Sequence, residues 1–491
     1  METSYSRKRP RLLKNNKKDE IRKDFVTTVF SKELVLNVFS FLSSKDLIQC
    51  AAVSMEWSRL ANDEMLWKPL FYKRFRDPLL LEDKKSKFHY HRRSSVTRYR
   101  GSWKAKYRVH HNWLLGNCYI NDIENTFDIK DNTLLDHHQL QFFHDIIFIA
   151  QSNSSVINVW KYVENKTTLE FSLESTESRG NNGYITFLKF TEGSNSSLVA
   201  GYSNGGFTVW DISGSCFKEL SIKESINYRP SDITINDKIT AIAMEYPMIV
   251  ICTESMTLSV FYVNKHRSLD MVHCLHNPID CSSIVINIKK RIPKTNEKRQ
   301  SNCKEDVWQA IVCFGMFGGG GLAASVGIQE LNLSRNRLLS SRYGYALDYA
   351  FSNDTAASSE QITAMAYAPP FLITAHPNNT MKQYIVRVND HELDISFKRK
   401  LYGHTFKVDV LAIDAARRKL VSGDRSGIRV WDLAKHGECQ VVLGAHKDQS
   451  SMTELPNLRM NTLGFDEDKI IAVVNTLDQS FVRLWSFNSL K

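Results

Sequence analysis

"SGIRVWDL", residues 426–433, is the stretch of the sequence that decides the fold. Apolar and polar side chains alternate along it until it closes on Trp431 and Asp432, and this two-residue period is typical of a strand with one buried face. The same rhythm recurs six times: SVINVWKY (155–162), GGFTVWDI (205–212), MTLSVFYV (256–263), VGIQELNL (326–333), MKQYIVRV (381–388) and SFVRLWSF (480–487).

These seven strands belong to a repeated unit. From residue 111 onward, each unit of about 40 to 60 residues contains an apolar strand, a second apolar strand that ends in small residues, a tight turn and one of the seven strands. A period of this length indicates a repeat architecture. The Trp-Asp pair is degraded in the third, fourth and fifth units, where the register of the strands stays open.

The most complete unit resembles a WD repeat. It reads YGHTFKVDVLAIDAARRKLVSGDRSGIRVWD, from Gly403-His404 to Trp431-Asp432. The resemblance implies an all-β, seven-bladed WD-repeat propeller. It also implies a structural relay of hydrogen bonds from His404 through Ser422 to the Trp431 indole, with Asp424 in the neighbouring turn. The Trp-Asp pair is therefore expected to satisfy buried polar groups rather than to perform chemistry.

A propeller must also close on itself, because an open blade would leave an unpaired strand edge. The sequence ends four residues after SFVRLWSF, which leaves no room for a fourth strand in the last blade. The segment HHNWLLGNCYINDIENTFDI (110–129) has the composition of a strand and precedes the first unit. We expect it to supply the missing strand.

Residues 25–71 have a different character, with apolar side chains at helical spacing. Ser31, Ser43 or Ser44, and Asn62 or Asp63 are candidate N-caps for three short helices. The run ELVLNVFSFLSSKDLIQCAAVSMEWSRLANDEMLW (33–67) resembles an F-box, although that family usually opens with Leu-Pro where this chain has Phe30-Ser31.

The F-box resemblance implies docking to a Skp-family adaptor and, through it, to a cullin-RING ubiquitin ligase. Short helices that fill a hydrophobic groove depend on a few apolar anchors. The alternative is that these side chains only form a small helical core. Carried over by position, the adaptor-binding residues are Phe30, Leu34, Val38, Phe41, Leu42, Leu47, Val53, Trp57, Leu66 and Trp67, of which the last two and Trp57 are expected to be partly internal.

Composition excludes several classes of protein. No apolar run reaches the roughly 18 residues of a membrane span, and the basic N-terminus lacks the apolar segment of a secretory signal. Nine cysteines without a CxxC pair suit a reducing compartment. We therefore expect an intracellular protein, cytoplasmic or nuclear, and SRKRPR (6–11) is either a nuclear import signal or a solvated tail.

The net charge of +11 is unevenly distributed. Residues 1–25 carry +5 and residues 68–110 carry +11, whereas residues 111–491 carry −3. A domain that bound nucleic acid through its own face would show the excess itself, so nucleic acid is not an expected partner. The connector is expected to be a basic helix with Trp103 and Tyr107 packed inside, and contact with RNA is the lesser alternative.

Motifs that could carry catalysis are weak. GYSNG (201–205) matches the nucleophile-elbow pattern, but Ser203 is followed by a strand where the elbow needs a helix. GMFGGGG (315–321) lacks the Lys and Ser/Thr of a phosphate loop. His273, Cys274, His276 and Cys281 lack the paired spacing of zinc sites. We expect no enzyme activity, metal or cofactor.

These observations predict four segments: a disordered basic tail (1–24), an F-box (25–71), a basic helical connector (72–109) and a propeller (110–491). By resemblance, the chain is a substrate receptor of an SCF-type ubiquitin ligase; the alternative is a WD-repeat scaffold whose F-box acts outside ubiquitin ligation. Clustered arginines would indicate a phosphate site, and only Arg425 is found. The candidate substrate-binding residues lie in the loops between second and third strands: Asn153, Asn204, Glu254, His376, Asn378, Arg425 and Asn475.

Overall fold

The computed structural model divides the chain into two compact units, residues 1–110 (the helical unit) and residues 111–491 (the propeller unit). The structure describes residues 29–76, 101–123, 138–151, 153–163, 166–175, 183–192, 196–214, 219–230, 237–276, 281–291, 306–316, 325–346, 361–389, 392–434, 439–444, 459–476 and 480–488. The predicted tail and most of the predicted connector therefore lie outside the described residues.

Between residues 29 and 71, the described part of the helical unit contains four short helices, one more than the sequence predicted. They are α1 (Lys32–Phe39), α2 (Ser44–Cys50), α3 (Met55–Ala61) and α4 (Glu64–Phe71), followed by a π-helical turn (Tyr72–Arg76). A fifth helix, α5 (Trp103–Leu115), crosses the boundary between the units.

Polar caps explain where these helices begin. Ser31 and Ser43 accept hydrogen bonds from backbone N–H groups of α1 and α2, and Asp63 accepts one from Met65 in α4. These three caps were among those predicted. Ser54 caps α3 through the backbone N–H of Trp57, and this cap accounts for the additional helix.

The core of the helical unit is apolar and aromatic. The Trp67 indole donates a 2.7 Å hydrogen bond to the Ala61 carbonyl, so its buried N–H is satisfied. The buried side chains of this core are Val35, Phe39, Leu47, Leu60, Ala61, Leu66, Trp67, Phe71 and Tyr107.

The described part of the propeller unit contains seven four-stranded antiparallel sheets, which confirms the predicted seven blades. Blades 1 to 3 comprise β2 (Gln139–Phe143), β3 (Ile146–Ala150), β4 (Ile157–Val163) and β5 (Lys166–Leu173); β6 (Ile185–Thr191), β7 (Ser196–Tyr202), β8 (Phe207–Ser213) and β9 (Ser221–Tyr228); β10 (Ile239–Glu245), β11 (Met248–Thr253), β12 (Thr257–Val263) and β13 (Leu269–His276). Blades 4 to 6 comprise β14 (Cys281–Lys290), β15 (Trp308–Met316), β16 (Ser325–Leu333) and β17 (Leu338–Ala346); β18 (Ala364–Ala368), β19 (Phe371–Ala375), β20 (Met381–Val388) and β21 (Leu393–Leu401); β22 (Val410–Asp414), β23 (Lys419–Asp424), β24 (Gly427–Asp432) and β25 (Cys439–Gly444).

Blade 7 closes the ring with a strand from the opposite end of the unit. Its strands are β26 (Arg459–Phe465), β27 (Lys469–Asn475) and β28 (Ser480–Ser486), and β1 (Tyr119–Ile123) pairs with β28 as the fourth strand. This pairing confirms that the segment before the first repeat completes the last blade. Within the described part of residues 110–129, however, only Tyr119–Ile123 forms the strand, and residues 110–115 belong to α5. Arg483 forks onto Asp122 across the seam, with N···O distances of 2.6 and 2.9 Å.

Apolar side chains fill the spaces between neighbouring blades. For example, Ile123 of β1 and Val482 of β28 pack with Leu140 and Ile147 of blade 1. Equivalent clusters join blades 1 and 2, 2 and 3, 3 and 4, 4 and 5, and 5 and 6. The described loops between second and third strands therefore lie at one end of the unit, since every described blade has the same strand order.

Replacing Asp122 by Ala should destabilise the propeller by about 2 to 3 kcal/mol, because it leaves the largely buried Arg483 guanidinium without its bidentate partner. Equilibrium urea unfolding of the full chain measures the change. The matched control, Asp394→Ala, breaks the more exposed Arg387–Asp394 pair and should cost less than about 1 kcal/mol. Equal losses in the two variants would contradict a special role for the seam.

Candidate functional site

Helix α1 is apolar on two sides. Val35 and Phe39 point into the core, whereas Leu34 and Val38 are 54% and 63% exposed. Phe41, just after the helix, is 84% exposed. A surface helix normally keeps one apolar face toward the core, so a second, exposed apolar face is unusual and marks a candidate interaction surface.

The exposed apolar side chains continue beyond the predicted set. Phe30 and Val53 are exposed as expected, and Ile48 of α2 and Met55 of α3 join them. Val29 and Met65 are exposed as well. The sequence analysis missed these four residues, because helical spacing alone does not show which of the adjacent Leu47 and Ile48 faces the core. We call Val29, Phe30, Leu34, Val38, Phe41, Ile48, Val53 and Met55 the exposed apolar surface.

Five predicted adaptor-binding residues do not lie on this surface. Leu47 is only 1% exposed, and Leu66 and Trp67 are buried beside it in the core. The prediction of Leu47 as a surface anchor was wrong, because α2 turns that side chain inward. Leu42 and Trp57 are half-buried, and the Trp57 ring lies 5.3 Å from that of Phe39, so both mainly support the core.

The predicted substrate-binding residues occupy the aligned loops between second and third strands. Asn153, Glu254, Asn378 and Arg425 are exposed in the loops of blades 1, 3, 5 and 6. Glu254 pairs with Lys238 at 2.8 Å. These loops share one end of the propeller unit, and the corresponding loop of blade 4 lies outside the described residues.

Two further members of that set are half-buried. The Asn204 side chain accepts a hydrogen bond from the Gly206 backbone N–H, which shapes the turn of blade 2. The Oδ1 atom of Asn475, in blade 7, is buried and has no hydrogen-bond partner among the described residues. Asn475 therefore retains an unused acceptor near this end of the propeller unit.

The sequence analysis placed His376 among the candidate substrate-binding residues, but the structure buries it. Its side chain is 1% exposed, and its ring Nε2 lies 2.9 Å from the Thr374 hydroxyl. The turn of blade 5 folds over it through a backbone hydrogen bond from His376 N–H to the Thr380 carbonyl. His376 is a buried structural residue and presents nothing to a substrate.

Arg425 has cationic neighbours that the sequence did not reveal. Burial raises the pKa of Asp409, and the nearby charges of Arg459, Lys407 and Arg425 counteract that rise. Arg459 begins β26 of blade 7, whereas the other two lie in blade 6, so only the ring brings them together. The expectation of an isolated arginine was therefore incomplete.

The structure brings His404, Ser422, Asp424 and Trp431 together in the interior of blade 6. His404 Nδ1 lies 2.8 Å from the Asp424 carboxylate, which can only accept, so Nδ1 carries the proton. Nε2 of the neutral ring then accepts from the Ser422 hydroxyl at 2.6 Å. The Trp431 indole donates to the same oxygen at 2.8 Å. Every buried polar atom in this chain of bonds has a partner.

Other blades have lost this arrangement. Trp485 of blade 7 and Trp160 of blade 1 have buried indole N–H groups without an acceptor in the described structure. The strand registers place Ala472 and Ile149 where blade 6 has Ser422. Blade 6 is the complete repeat, and the other indoles contribute packing without the relay.

Of the motifs weighed for catalysis, GYSNG lies within the described residues, whereas residues 317–321 of GMFGGGG lie outside them. Ser203 lies in the tight turn between β7 and β8, so no helix follows it. The described residues contain no group of three or more His, Cys, Asp or Glu side chains able to hold a metal ion. Within the same residues, no helix is both long and apolar enough to traverse a bilayer.

Comparisons with known proteins agree with this architecture. The profile of the F-box protein pof12 beta-propeller family matches residues 127–457, and an F-box-like profile matches residues 32–73. F-box/WD repeat-containing protein 8 of Homo sapiens is 29% identical over 136 residues, 26% of this chain and 19% of that protein. Cell division control protein 4 of Saccharomyces cerevisiae is 25% identical over 208 residues, 40% of this chain and 24% of that protein.

The alignments thus span about a fifth to a quarter of these relatives' own length. Among solved structures, the computationally designed Ika8 protein aligns with 72% of this chain and 96% of its own, with 15% identity and a TM-score of 0.40.

Replacing Ser422 by Ala should destabilise the propeller by about 2 to 4 kcal/mol, because it leaves the buried Trp431 indole N–H and the Nε2 atom of His404 without hydrogen-bond partners. Urea unfolding followed by tryptophan fluorescence measures the loss. Ser213→Ala, at an exposed serine on β8, is the control and should cost less than about 0.5 kcal/mol. A Ser422→Ala protein as stable as this control would contradict the relay.

Acid should weaken blade 6 through Asp424. Burial raises the pKa of this carboxyl, but hydrogen bonds from His404 and Ser426 outweigh burial and lower the pKa to about 2, from a usual value of 3.8. Since the folded pKa is depressed, the stabilisation is complete above about pH 5 and is lost as the pH falls towards 2. The difference in unfolding free energy between the native chain and Asp424→Asn should shrink by roughly 2 kcal/mol over that range. A difference independent of pH would refute this assignment.

Proposed function

Because the chain belongs to the F-box protein pof12 beta-propeller family, we propose that it is a substrate-recognition subunit of an SCF-type ubiquitin ligase. In this proposal the helical unit binds a Skp-family adaptor, and through it a cullin-RING ligase. The propeller unit binds the substrate protein. The protein acts inside the cell and forms no covalent bond itself.

The observation that carries the proposal is the exposed apolar surface. Eight large apolar side chains between residues 29 and 55 are exposed, while the same short segment also supplies Val35, Phe39 and Leu47 to the core. A folded unit of this size gains nothing from displaying such side chains to water. Burial in the groove of an adaptor would remove them from solvent, with the most exposed side chains, such as Phe41, acting as anchors.

The aligned loops of the propeller unit support a role in binding the substrate. Hydrogen-bond donors and acceptors line one end of the ring, from Asn153, Asn204, Glu254, Asn378 and Arg425. Two further cations, Arg459 and Lys407, add positive charge near Arg425. These polar and charged loops suit a polar peptide segment rather than an apolar small molecule. Holding a substrate there raises the local concentration of its lysines at the ligase, which is a contribution of proximity.

Changing Leu34 and Phe41 together to Ala should weaken adaptor binding at least about a hundredfold, since exposed anchors of this kind each contribute about 2 kcal/mol. Titration calorimetry with a purified Skp-family adaptor measures the change. Leu169→Ala with Phe171→Ala, a matched exposed pair on β5, is the control and should bind normally. Unchanged unfolding of the helical unit shows that lost binding does not reflect lost folding.

A second experiment, affinity capture, distinguishes the ligase-receptor proposal from the scaffold alternative. Affinity capture of the full chain should recover adaptor and cullin in stoichiometric amounts, and the Leu34→Ala, Phe41→Ala protein should recover neither. Recovery of other proteins without adaptor or cullin would support a WD-repeat scaffold and overturn the proposed role.

A further inference from the structure

The turn between β26 and β27 places two carboxyl groups against one buried ammonium group. Lys469, the first residue of β27, is only 3% exposed, and its Nζ atom lies 2.7 Å from the Asp466 carboxylate and 3.3 Å from the Asp468 carboxylate. Oδ1 of Asp466 also accepts the backbone N–H groups of Asp468 and Lys469, at 2.9 and 3.0 Å, which closes the turn. One ammonium neutralises one carboxylate, so these side chains carry an excess negative charge whenever both acids are ionised. We call Asp466, Asp468 and Lys469 the acid–lysine cluster.

The neighbouring charges of the described structure leave this excess in place. Burial lowers the pKa of Lys469, but the two cluster carboxylates, and then Asp145 in the turn of blade 1, raise it. Asp145 is therefore a further negative charge near the cluster. Arg417, in the turn of blade 6, pairs with Glu467 and with Asp414, each at 3.3 Å, so its charge is already engaged.

The arrangement favours one proton shared between the two acids. Burial, and then the charge of Asp466, raise the pKa of Asp468 to about 7, and a hydrogen bond to Asp466 favours the protonated form as well, whereas Lys469 opposes the rise. Burial acts on Asp466 too, but Lys469 and the hydrogen bonds that Asp466 accepts keep its pKa below the usual value. The Asp468 side chain is 32% exposed, so solvent can deliver the proton. Tyr162 of β4 also faces the cluster, and burial raises the pKa of its phenol.

The backbone of the same turn holds the segment that leads into the closing strand β1. The Trp113 indole, in the last turn of α5, donates to the Glu467 carbonyl at 2.8 Å, and its ring stacks on Phe487 with the ring centres 3.9 Å apart. The Phe487 N–H donates to the Asp468 carbonyl, and the Phe487 carbonyl accepts from the Asn112 side chain, each at 2.8 Å. All of these residues belong to the propeller unit. Repulsion between the two carboxylates therefore acts on the contacts beside the seam.

We propose that the acid–lysine cluster is a proton-sensitive contact that sets how firmly the ring is closed. Uptake of one proton near neutral pH removes the repulsion between Asp466 and Asp468 and stabilises the turn that holds Trp113 and Phe487. Because the folded protein binds this proton more tightly than the unfolded chain does, the stabilisation is complete below about pH 4 and is lost as the pH rises through about 7. The device is independent of the proposed ligase role, since no residue of the exposed apolar surface takes part.

Amide hydrogen exchange of the full chain tests the proposal, followed by mass spectrometry on the peptide that contains Phe487, at about pH 5.5, 6.5 and 7.5. In Asp468→Asn, an amide replaces the protonated carboxyl group, so the turn no longer responds to pH. The exchange rate of the native chain divided by that of Asp468→Asn should be close to one at about pH 5.5. It should be about tenfold higher at about pH 7.5, because only the native cluster loses its shared proton.

Other groups that titrate near this range cancel in the ratio, because both proteins contain them. They are His111 of α5, His144 in the turn of blade 1, and Lys419, which lies 4.2 Å from the Trp113 ring and whose pKa burial lowers to about 8. The intrinsic effect of pH on amide exchange cancels in the same way.

Two further variants make the test specific. Asp466→Asn removes the neighbouring charge and keeps an oxygen that accepts the backbone N–H groups of the turn, so the tenfold rise should fall below about threefold. Asp211→Asn is the matched control, because the Asp211 side chain is 35% exposed and also pairs with a cation, Arg267, at 3.0 Å. This control should keep the full rise.

Four results would overturn the proposal. They are a native ratio that does not change with pH, a full rise that persists in Asp466→Asn, loss of the rise in Asp211→Asn, and faster exchange of Asp468→Asn than of the native chain at about pH 5.5. The last result would assign Asp468 a structural role as an ion-pair partner of Lys469. The comparison of Asp466→Asn with the native chain needs no change at Asp468, so it decides the matter even where Asp468→Asn does not fold.

Discussion

Closure of the ring between β1 and β28 is the constraint on which the propeller unit depends. Without that pairing, blade 7 would expose an unpaired strand edge, and Ile123 and Val482 would lose the apolar neighbours that join blade 7 to blade 1. The alignment of the loops at one end follows from closure as well. Lys407 and Arg425 of blade 6 meet Arg459 of blade 7 because the blades are held in a ring.

Much of this architecture could be predicted because it follows from the local periodicity of apolar residues along the chain. All seven predicted third strands are found, and the closing strand was predicted from the need to remove an edge. The helix caps Ser31, Ser43 and Asp63 follow from hydrogen bonding over three residues or fewer. The relay of blade 6 was predicted only from resemblance to a known repeat. Its members are separated by up to 27 residues in the chain, so local periodicity could not have linked them.

Tertiary packing decided what the sequence could not. Leu47 and Ile48 are adjacent and equally apolar, yet one is buried and the other exposed, because only α2's contacts define its inner face. His376 looks like a loop residue until Thr374 and the turn of blade 5 enclose it. In blade 4, fully buried Glu330 pairs with Arg342 and accepts from Gln309, where a strand pattern would place an apolar residue. Such buried polar groups depend on partners that are far away or on neighbouring strands.

The distance along the chain between the two halves of the seam has a consequence for biosynthesis. Asp122 and Arg483 are 361 residues apart, so β1 leaves the ribosome long before its partner exists. At typical elongation rates this strand waits on the order of tens of seconds with its edge unpaired, while the helical unit upstream is already complete. A nascent chain in this interval has a complete helical unit and an open ring, so the edge of β1 stays unpaired until synthesis reaches β28.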